Sequence, residues 1–307
     1  MKLPIRILSV ISSLYLIAPG AEEDTVKLPP TPWHMVNLHW KNHGELKNFD
    51  TFSVDVEISC DASLEAYQLY IAPLCSTING DTFYGGIQTR CSGWDAMKAE
   101  EQKRQPERPA FIFSRWSEKP DLTLKDVRAT PGGFVELAGY EGDFASGRRP
   151  YPWKVGKYTY TLQRLDTEMV HGKPFTWLGA FVHEHATGKD IFVSALRFEG
   201  ETLTHGDENS GFIEFYGGEP PEISKLPALE VCFSNLRYNG TAADLKAVTA
   251  NFIRQPMNRP DKLDAPISPN IMHVSASEDG RAVTCKLVNK IFPDSEEPNR
   301  VLWSETK

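Results

Sequence analysis

The sequence predicts an all-β chain, an antiparallel β-sandwich of the jelly-roll, concanavalin-like kind. Three observations carry this reading. Apolar residues recur with period two along most of the chain. Clusters of Gly, Pro, Asn and Asp punctuate the apolar rows at short intervals. Only residues 98–108 and 241–252 break that rhythm.

Taken in order, Phe52, Val54, Val56 and Ile58 alternate with Ser53, Asp55, Glu57 and Ser59, the pattern of a half-buried strand. Tyr67, Leu69 and Ile71 repeat it, as do Tyr158, Tyr160 and Leu162 around Thr159 and Thr161. Phe175, Trp177 and Phe181 form another apolar row, and 191–198 is a further apolar run. Asn79-Gly80-Asp81, Thr130-Pro131-Gly132-Gly133 and Thr187-Gly188-Lys189-Asp190 supply turn chemistry between them. Many short strands so separated fit an antiparallel sandwich or jelly roll. The charged stretch 98–108 reads as a short solvated helix or a loop. Residues 241–252 place Leu245, Val248 and Phe252 on one helical face with Thr241 as a cap, which predicts a helix. Gly217-Gly218-Glu219-Pro220-Pro221 is the best joint. It divides a sandwich domain over 33–218 from a β-rich extension or small second domain over 219–307, with strand-like runs at 231–238 and 282–288.

At the N-terminus, Lys2 and Arg6 precede an almost wholly apolar run from Ile7 to Ile17. The small residues Ala18-Pro19-Gly20 and the acids Glu22-Glu23-Asp24 follow. This is the layout of a secretory signal peptide over residues 1–20. The mature chain is expected to begin near Ala21 and to be exported, extracellular or periplasmic. The apolar run is shorter than the ~18–20 residues a span needs, and no other stretch is longer, so no transmembrane segment is expected.

The 307 residues are 40% hydrophobic, enough for a sizeable core. A net charge of −8, with acids and bases interspersed, argues against a nucleic-acid partner and against charge-driven binding to anionic lipid. The cysteines are Cys60, Cys75, Cys91, Cys232 and Cys285, none in a CxxC pair. In an oxidising compartment the economical pairing is Cys232–Cys285, with one bridge among the first three and one free thiol.

Several short motifs follow one another in a fixed order. Tyr84-Gly85-Gly86-Ile87-Gln88 precedes Glu107-Arg108 and Ile112-Phe113-Ser114-Arg115-Trp116. Gly139-Tyr140-Glu141-Gly142-Asp143-Phe144 leads into Tyr151-Pro152-Trp153-Lys154-Val155-Gly156, then Tyr158-Thr159-Tyr160 and Thr176-Trp177. Gly211-Phe212-Ile213-Glu214-Phe215 closes the series. Over roughly residues 33–218 this order resembles the exported family filed as domain of unknown function 3472. The stretch between Gln88 and Glu107, with Cys91 and the charged run, departs from that pattern, and the tail matches poorly. The resemblance implies export, a sandwich-like fold and company with carbohydrate-related modules. It implies no established activity.

The segment 139–153 concentrates Glu141, Asp143, Ser146, Arg148 and Arg149 beside Tyr140, Tyr151 and Trp153. Charged groups hydrogen-bond sugar hydroxyls, and aromatic faces meet the C–H face of a sugar ring. With Gln88 and Arg115 on neighbouring strands, the expected ligand-binding set is Gln88, Arg115, Glu141, Asp143, Arg148, Tyr151 and Trp153. Carboxylates with loop carbonyls can instead hold Ca²⁺, although no complete calcium-loop spacing is present. No other cofactor is indicated. His183-Glu184-His185 puts two imidazoles on one side of a strand, a metal pair that would need a third ligand, for which His171 and His205 are candidates. In Trp33 to Trp40, His34, Val36, Leu38 and Trp40 share one face, and Met35, Asn37 and His39 share the face that would line a groove.

There is no G-x-S-x-G elbow, P-loop or G-x-G-x-x-G. Glycoside hydrolysis needs only two well-placed carboxylates, for which Glu136, Glu141 and Asp143 are the candidates. Two readings follow. One is a non-catalytic carbohydrate-binding or surface-interaction module for a polysaccharide. The other is a glycan-active hydrolase or lyase using a carboxylate pair.

Overall fold

The computed structural model describes residues 31–60, 68–117, 122–139, 142–218, 228–252, 271–287 and 299–305, the side chain of Cys60 excepted. The signal-peptide segment, Tyr67 and Glu141 lie outside these residues. Two antiparallel sheets face each other, as the period-two pattern requires. The larger runs β21 (Asn299–Ser304), β18 (Leu245–Asn251), β1 (Trp33–Asn42), β15 (Glu208–Gly217), β4 (Gln68–Ile78), β5 (Asp81–Cys91), β7 (Arg108–Trp116), β10 (Phe144–Pro150), β9 (Phe134–Ala138) and β6 (Trp94–Asp95). β14 (Thr204–His205) and β2 (Leu46–Lys47) pair at the end of β4. The second sheet runs β19 (Met272–Ala276), β20 (Ala282–Leu287), β16 (Leu229–Tyr238), β3 (Thr51–Cys60), β11 (Gly156–Val170), β12 (Lys173–Glu184), β13 (Lys189–Glu199) and β8 (Val127–Arg128). β17 (Thr241–Ala242) flanks β16. The strands after Leu229 extend both sheets and share their core, β18 against β1 and β16 against β3.

The interior is built from one parity of each strand. Phe52, Val54, Val56 and Ile58 of β3 are at most 1% exposed and face Tyr158, Tyr160 and Leu162 of β11. Tyr160 crosses the sandwich to donate to the backbone oxygen of Ile112 at 2.6 Å. Gly85 lies beside it: a Cβ there would be in ordinary contact with the Tyr160 ring at 3.4 Å and 3.0 Å from Leu74 Cδ1. At Gly86 a Cβ would collide with the backbone of Ile71 and Ala72, where β4 and β5 slip register. At Gly147 it would collide with Ser194 of the facing sheet. Gly86 and Gly147 are therefore requirements of close backbone and sheet approach.

Three expectations are corrected here. Residues 241–252 form β17 and β18, not a helix. Asn42 pairs with Leu245 and Lys41 with Ala247, so Lys246 is an extra bulged residue. That bulge lets Leu245 and Val248 both face inward and produces the helix-like spacing, after which Ala250 and Phe252 alternate normally. The charged stretch 98–108 begins within a short 3₁₀ turn, Ala96–Glu101, capped by Asp95.

The row Phe175, Trp177 and Phe181 faces away from the core. The inward row of β12 is Leu178, Ala180 and Val182, all 0% exposed. Trp177 is nonetheless buried, because the Arg128 guanidinium lies 3.9 Å over its ring and Arg197 flanks it.

The Cys232–Cys285 bridge is absent, and both thiols are free. Cys285 pairs with Val231 and faces the core, whereas Cys232 pairs with Thr284 and faces outward. Neighbours on opposite sides of a pleat cannot be joined without unpairing the strands. Among the described residues no helix is long and apolar enough to cross a membrane.

Candidate functional site

The face of the larger sheet turned away from the second sheet carries the most elaborate side-chain arrangement. A β-bulge decides which residues reach it. In β1, His34 pairs with Glu214 and Val36 with Ile213, so Met35 is the extra residue. Met35 drops into the core at 2% exposure, and His34 moves to the side of Asn37 and His39. The expected groove members Asn37 and His39 are there. His34 replaces Met35 among them, a phase change that simple alternation misses.

Across this face runs a row of rings. His34 stacks on Phe212 with centroids 4.4 Å apart and planes at 19°. Phe212 meets Tyr70 edge-on at 5.1 Å and Tyr84 edge-on at 5.6 Å. Tyr84 packs on Trp116 at 4.2 Å, and Trp116 on Phe144 at 5.4 Å. The row crosses from β1 to β10, five interstrand steps, or ~24 Å at ~4.8 Å per strand. Tyr70, Ala72, Ile112 and Phe212 form a small apolar cluster separate from the main core. Phe212 and Tyr70 are its buried floor, while Tyr84 and Trp116 remain partly accessible.

Polar groups border the row. Glu214 accepts from or pairs with His34 Nε2 at 3.3 Å, and Asn37 Oδ1 lies 2.7 Å from His34 Nδ1. Ser114 donates to Ser146 at 2.9 Å. At the far edge Glu136, 1% exposed, is clamped between Arg148 and Arg104, and Arg148 also donates to the backbone oxygen of Ser92. At the near edge His39 Nδ1 is 2.5 Å from Glu208 Oε1 and 3.1 Å from Ser210 Oγ. The hydrogen bond to His39 holds the Glu208 carboxyl below its ordinary range. Serine and carboxylate approach the same ring nitrogen, so this trio lacks the two-sided relay of a serine nucleophile. Burial pushes the Cys75 thiol up to about 12, so it offers no thiolate at neutral pH.

The residues expected from the sequence are dispersed. Gln88 and Arg148 belong to this face by register. Arg115 does not: it points inward, 5% exposed, pairs with Asp81 at 2.8 Å and lies over the Phe198 ring. Tyr151 stacks on Phe111 and donates to Glu184 of the second sheet at 2.8 Å. Hydrogen bonds from Thr187, then Tyr151 and Tyr158, hold the Glu184 carboxyl low. Trp153 packs on the core and donates to the Gln88 backbone oxygen at 2.8 Å. Both are pegs between sheets. Asp143 is exposed just before β10, and Glu141 lies outside the described residues. The middle of 139–153 is strand β10, Phe144–Pro150.

His183 and His185 stand with ring centroids 4.9 Å apart on the outer side of the second sheet. His183 is engaged by Asp190 at 2.7 Å and His185 by Thr159 at 2.8 Å. Of the proposed third ligands, His205 is inside the core at 0% exposure. Among the described residues no three His, Cys, Asp or Glu gather for a metal ion.

The buried carboxylates of the ring-bearing face, Glu136 on β9 and Glu214 on β15, are five strands apart, or ~24 Å. Glycosidase pairs stand ~5–10 Å apart. The rings Tyr70, Tyr84, Trp116 and Phe212 were missed as site residues, although three of them sit in the motifs read from the sequence. The usable signal was parity: Tyr84, Gly86 and Gln88, Ser114 and Trp116, and Phe212 and Glu214 each occupy one side of a pleat. No family model and no curated protein matches the chain.

Proposed function

We propose that this is an exported, non-catalytic carbohydrate-binding module that lays an extended glycan across the ring-bearing face of its larger sheet. The row from His34 through Phe212, Tyr84 and Trp116 to Phe144 is the observation that carries the reading. Pyranose rings offer apolar C–H faces to aromatic side chains, and their hydroxyls need polar groups beside those rings, here Gln88, Ser114 and Glu214. The row runs across the strands, so an extended glycan would lie along it against its partly accessible rings, His34, Tyr84 and Trp116.

Export follows from the layout of the first twenty residues. The same strand motifs that resemble domain of unknown function 3472 contribute Tyr84, Trp116 and Phe212, so membership would place that family's shared residues on the binding face. Binding is preferred over hydrolysis because the two buried carboxylates of the face are far apart.

A glycan array probed with the chain after removal of residues 1–20, followed by calorimetry on any hit, tests the reading. Trp116→Ala and Tyr84→Ala should each weaken binding with an unchanged melting temperature. Binding that survives both substitutions sinks it. Cleavage of a bound glycan would move the chain to the hydrolase or lyase class.

A further inference from the structure

We infer that the β1–β15–β4 end of this face is a subsite for a neutral sugar unit carrying adjacent free hydroxyls. The inference rests on the glycan-binding reading and sharpens it.

Two polar side chains here are more than nine-tenths buried and have an atom without a partner. The Tyr70 hydroxyl is buried with no hydrogen bond, and so is Nδ2 of Asn37, whose Oδ1 faces His34. Turning the amide over exchanges its two atoms but still leaves one buried and unmatched. Native proteins rarely leave such groups unsatisfied, and a ligand hydroxyl or a bound water could complete each.

The two groups share one face by register, on either side of β15. Glu214 stands directly opposite Tyr70 on one side and His34 on the other, and Asn37 is opposite Phe212. Directly opposed side chains have Cβ atoms ~4.5–5.5 Å apart. A carboxylate acceptor, a phenol and an amide thus lie on one face of three adjacent strands, beside Phe212.

The charges select the class. Glu214, paired in register with Tyr70 and His34, offers carboxylate lone pairs, so it accepts from hydroxyls and repels a uronate or sulfate. The cations at the far edge are already committed: Arg148 and Arg104 clamp Glu136. A neutral glycan loses nothing at either end, whereas an acidic one meets a carboxylate whose ion-pair partner is the His34 imidazole.

The test uses the chain lacking residues 1–20 and two probe sets. One is neutral, the hexaoses of β-1,4-glucose, β-1,4-xylose and β-1,4-mannose. The other is anionic, oligogalacturonate and a sulfated oligosaccharide. At least one neutral probe should bind, and both anionic ones should bind more weakly. Tyr70→Phe and Glu214→Gln should each lower affinity for the neutral probe about tenfold or more. Tyr70→Phe removes only an unmatched hydroxyl, so its melting temperature should hold or rise. That combination, weaker binding in an equally stable protein, is not expected of a structural tyrosine.

If both variants bind like the parent while Trp116→Ala fails to bind, the subsite is wrong and the ring-bearing face still stands. Preferential binding of the anionic set overturns the neutral assignment alone. No binding to either set, with none on a wider array, overturns both readings.

Discussion

Cys232 and Cys285 sit on adjacent strands, one residue out of register and on opposite faces of the sheet. Export would expose the chain to oxidants, yet this geometry forbids their union. Cys285 is fully buried, and burial pushes its thiol well above the ordinary range; Cys232 is only partly covered. In native protein a thiol reagent should therefore label Cys232 and Cys75 slowly, and Cys91 and Cys285 only after unfolding. Cys232→Ser should change stability by about 0.5 kcal/mol or less, and Cys285→Ser should cost about 1–3 kcal/mol by burying a hydroxyl. A linked 232–285 peptide in a non-reducing map would contradict the fold at this point.

His205 gives the protein an acid sensitivity of defined sign. It is 0% exposed, ringed by Phe49, Phe52, Phe83 and Tyr238, and its Nδ1 contacts the Gly206 oxygen. Burial lowers its pKa to about 4, from 6.5. Between those values the unfolded chain binds a proton that the folded chain refuses. Its contribution is therefore fully favourable above pH 6.5 and lost as pH falls towards 4. At about 1.4 kcal/mol per pH unit, the loss approaches ~3 kcal/mol. Urea midpoints measured from pH 7 to pH 4 should fall, and His205→Phe should flatten that part of the curve. An unchanged slope in the variant would show that other groups govern it.

How legible this was in the sequence depended on local regularity. β3 and β11 alternate without interruption, so Val54, Val56, Tyr158 and Tyr160 could be assigned to the core by counting. Counting failed wherever a residue was inserted. Met35 inverted the phase of His34, and Lys246 disguised a strand as a helix. The candidate site failed for a different reason. Polar residues crowded within 139–153 suggested a loop, but in a sheet it is side-chain parity that brings distant residues together. Gly211-Phe212-Ile213-Glu214 and Tyr84-Gly85-Gly86 are far apart in sequence, yet only β4 separates their strands.

Two glycines should respond differently to the same added methyl. At Gly147 the Cβ meets the Ser194 side chain, and at Gly86 it meets the Ile71 and Ala72 backbone. Both Gly147→Ala and Gly86→Ala should cost about 2–4 kcal/mol by overpacking. Adding Ser194→Gly should restore much of the loss at Gly147, because the obstructing atoms are removed. No side-chain substitution should restore Gly86→Ala. Equal rescue, or none at either site, would count against the sheet spacing described.

Glu136 tests whether the far edge is structural. It is 1% exposed between two guanidinium groups, so Glu136→Ala leaves Arg148, itself 8% exposed, without its buried counter-charge. Breaking such a pair costs about 3–5 kcal/mol. The joint replacement Glu136→Leu with Arg148→Met should recover most of this, since removing both charges avoids a lone buried ion. Denaturant titration of the three variants decides it. If Glu136→Ala loses less than about 1 kcal/mol, the carboxylate is not held as described.

The last prediction concerns the character of glycan recognition. Stacking on rings and hydrogen bonding to uncharged hydroxyls involve no net neutralisation of charge, so ionic strength should have little leverage. A bound neutral oligosaccharide should keep its Kd within about twofold between 50 mM and 500 mM salt, a range over which interactions between exposed charges are largely screened. Trp116 is the largest partly accessible ring of the row, held at 4.2 Å by Tyr84 and at 5.4 Å by Phe144. Trp116→Ala should cost about 1–3 kcal/mol of binding, a fivefold to hundredfold loss, while Trp116→Phe retains a ring and should cost less. Calorimetry should also give a negative heat-capacity change from the apolar area buried, diminished in Trp116→Ala. A steep fall of affinity with salt would instead assign the binding to charged groups, and a Trp116→Ala variant that binds normally would remove the ring row from the site.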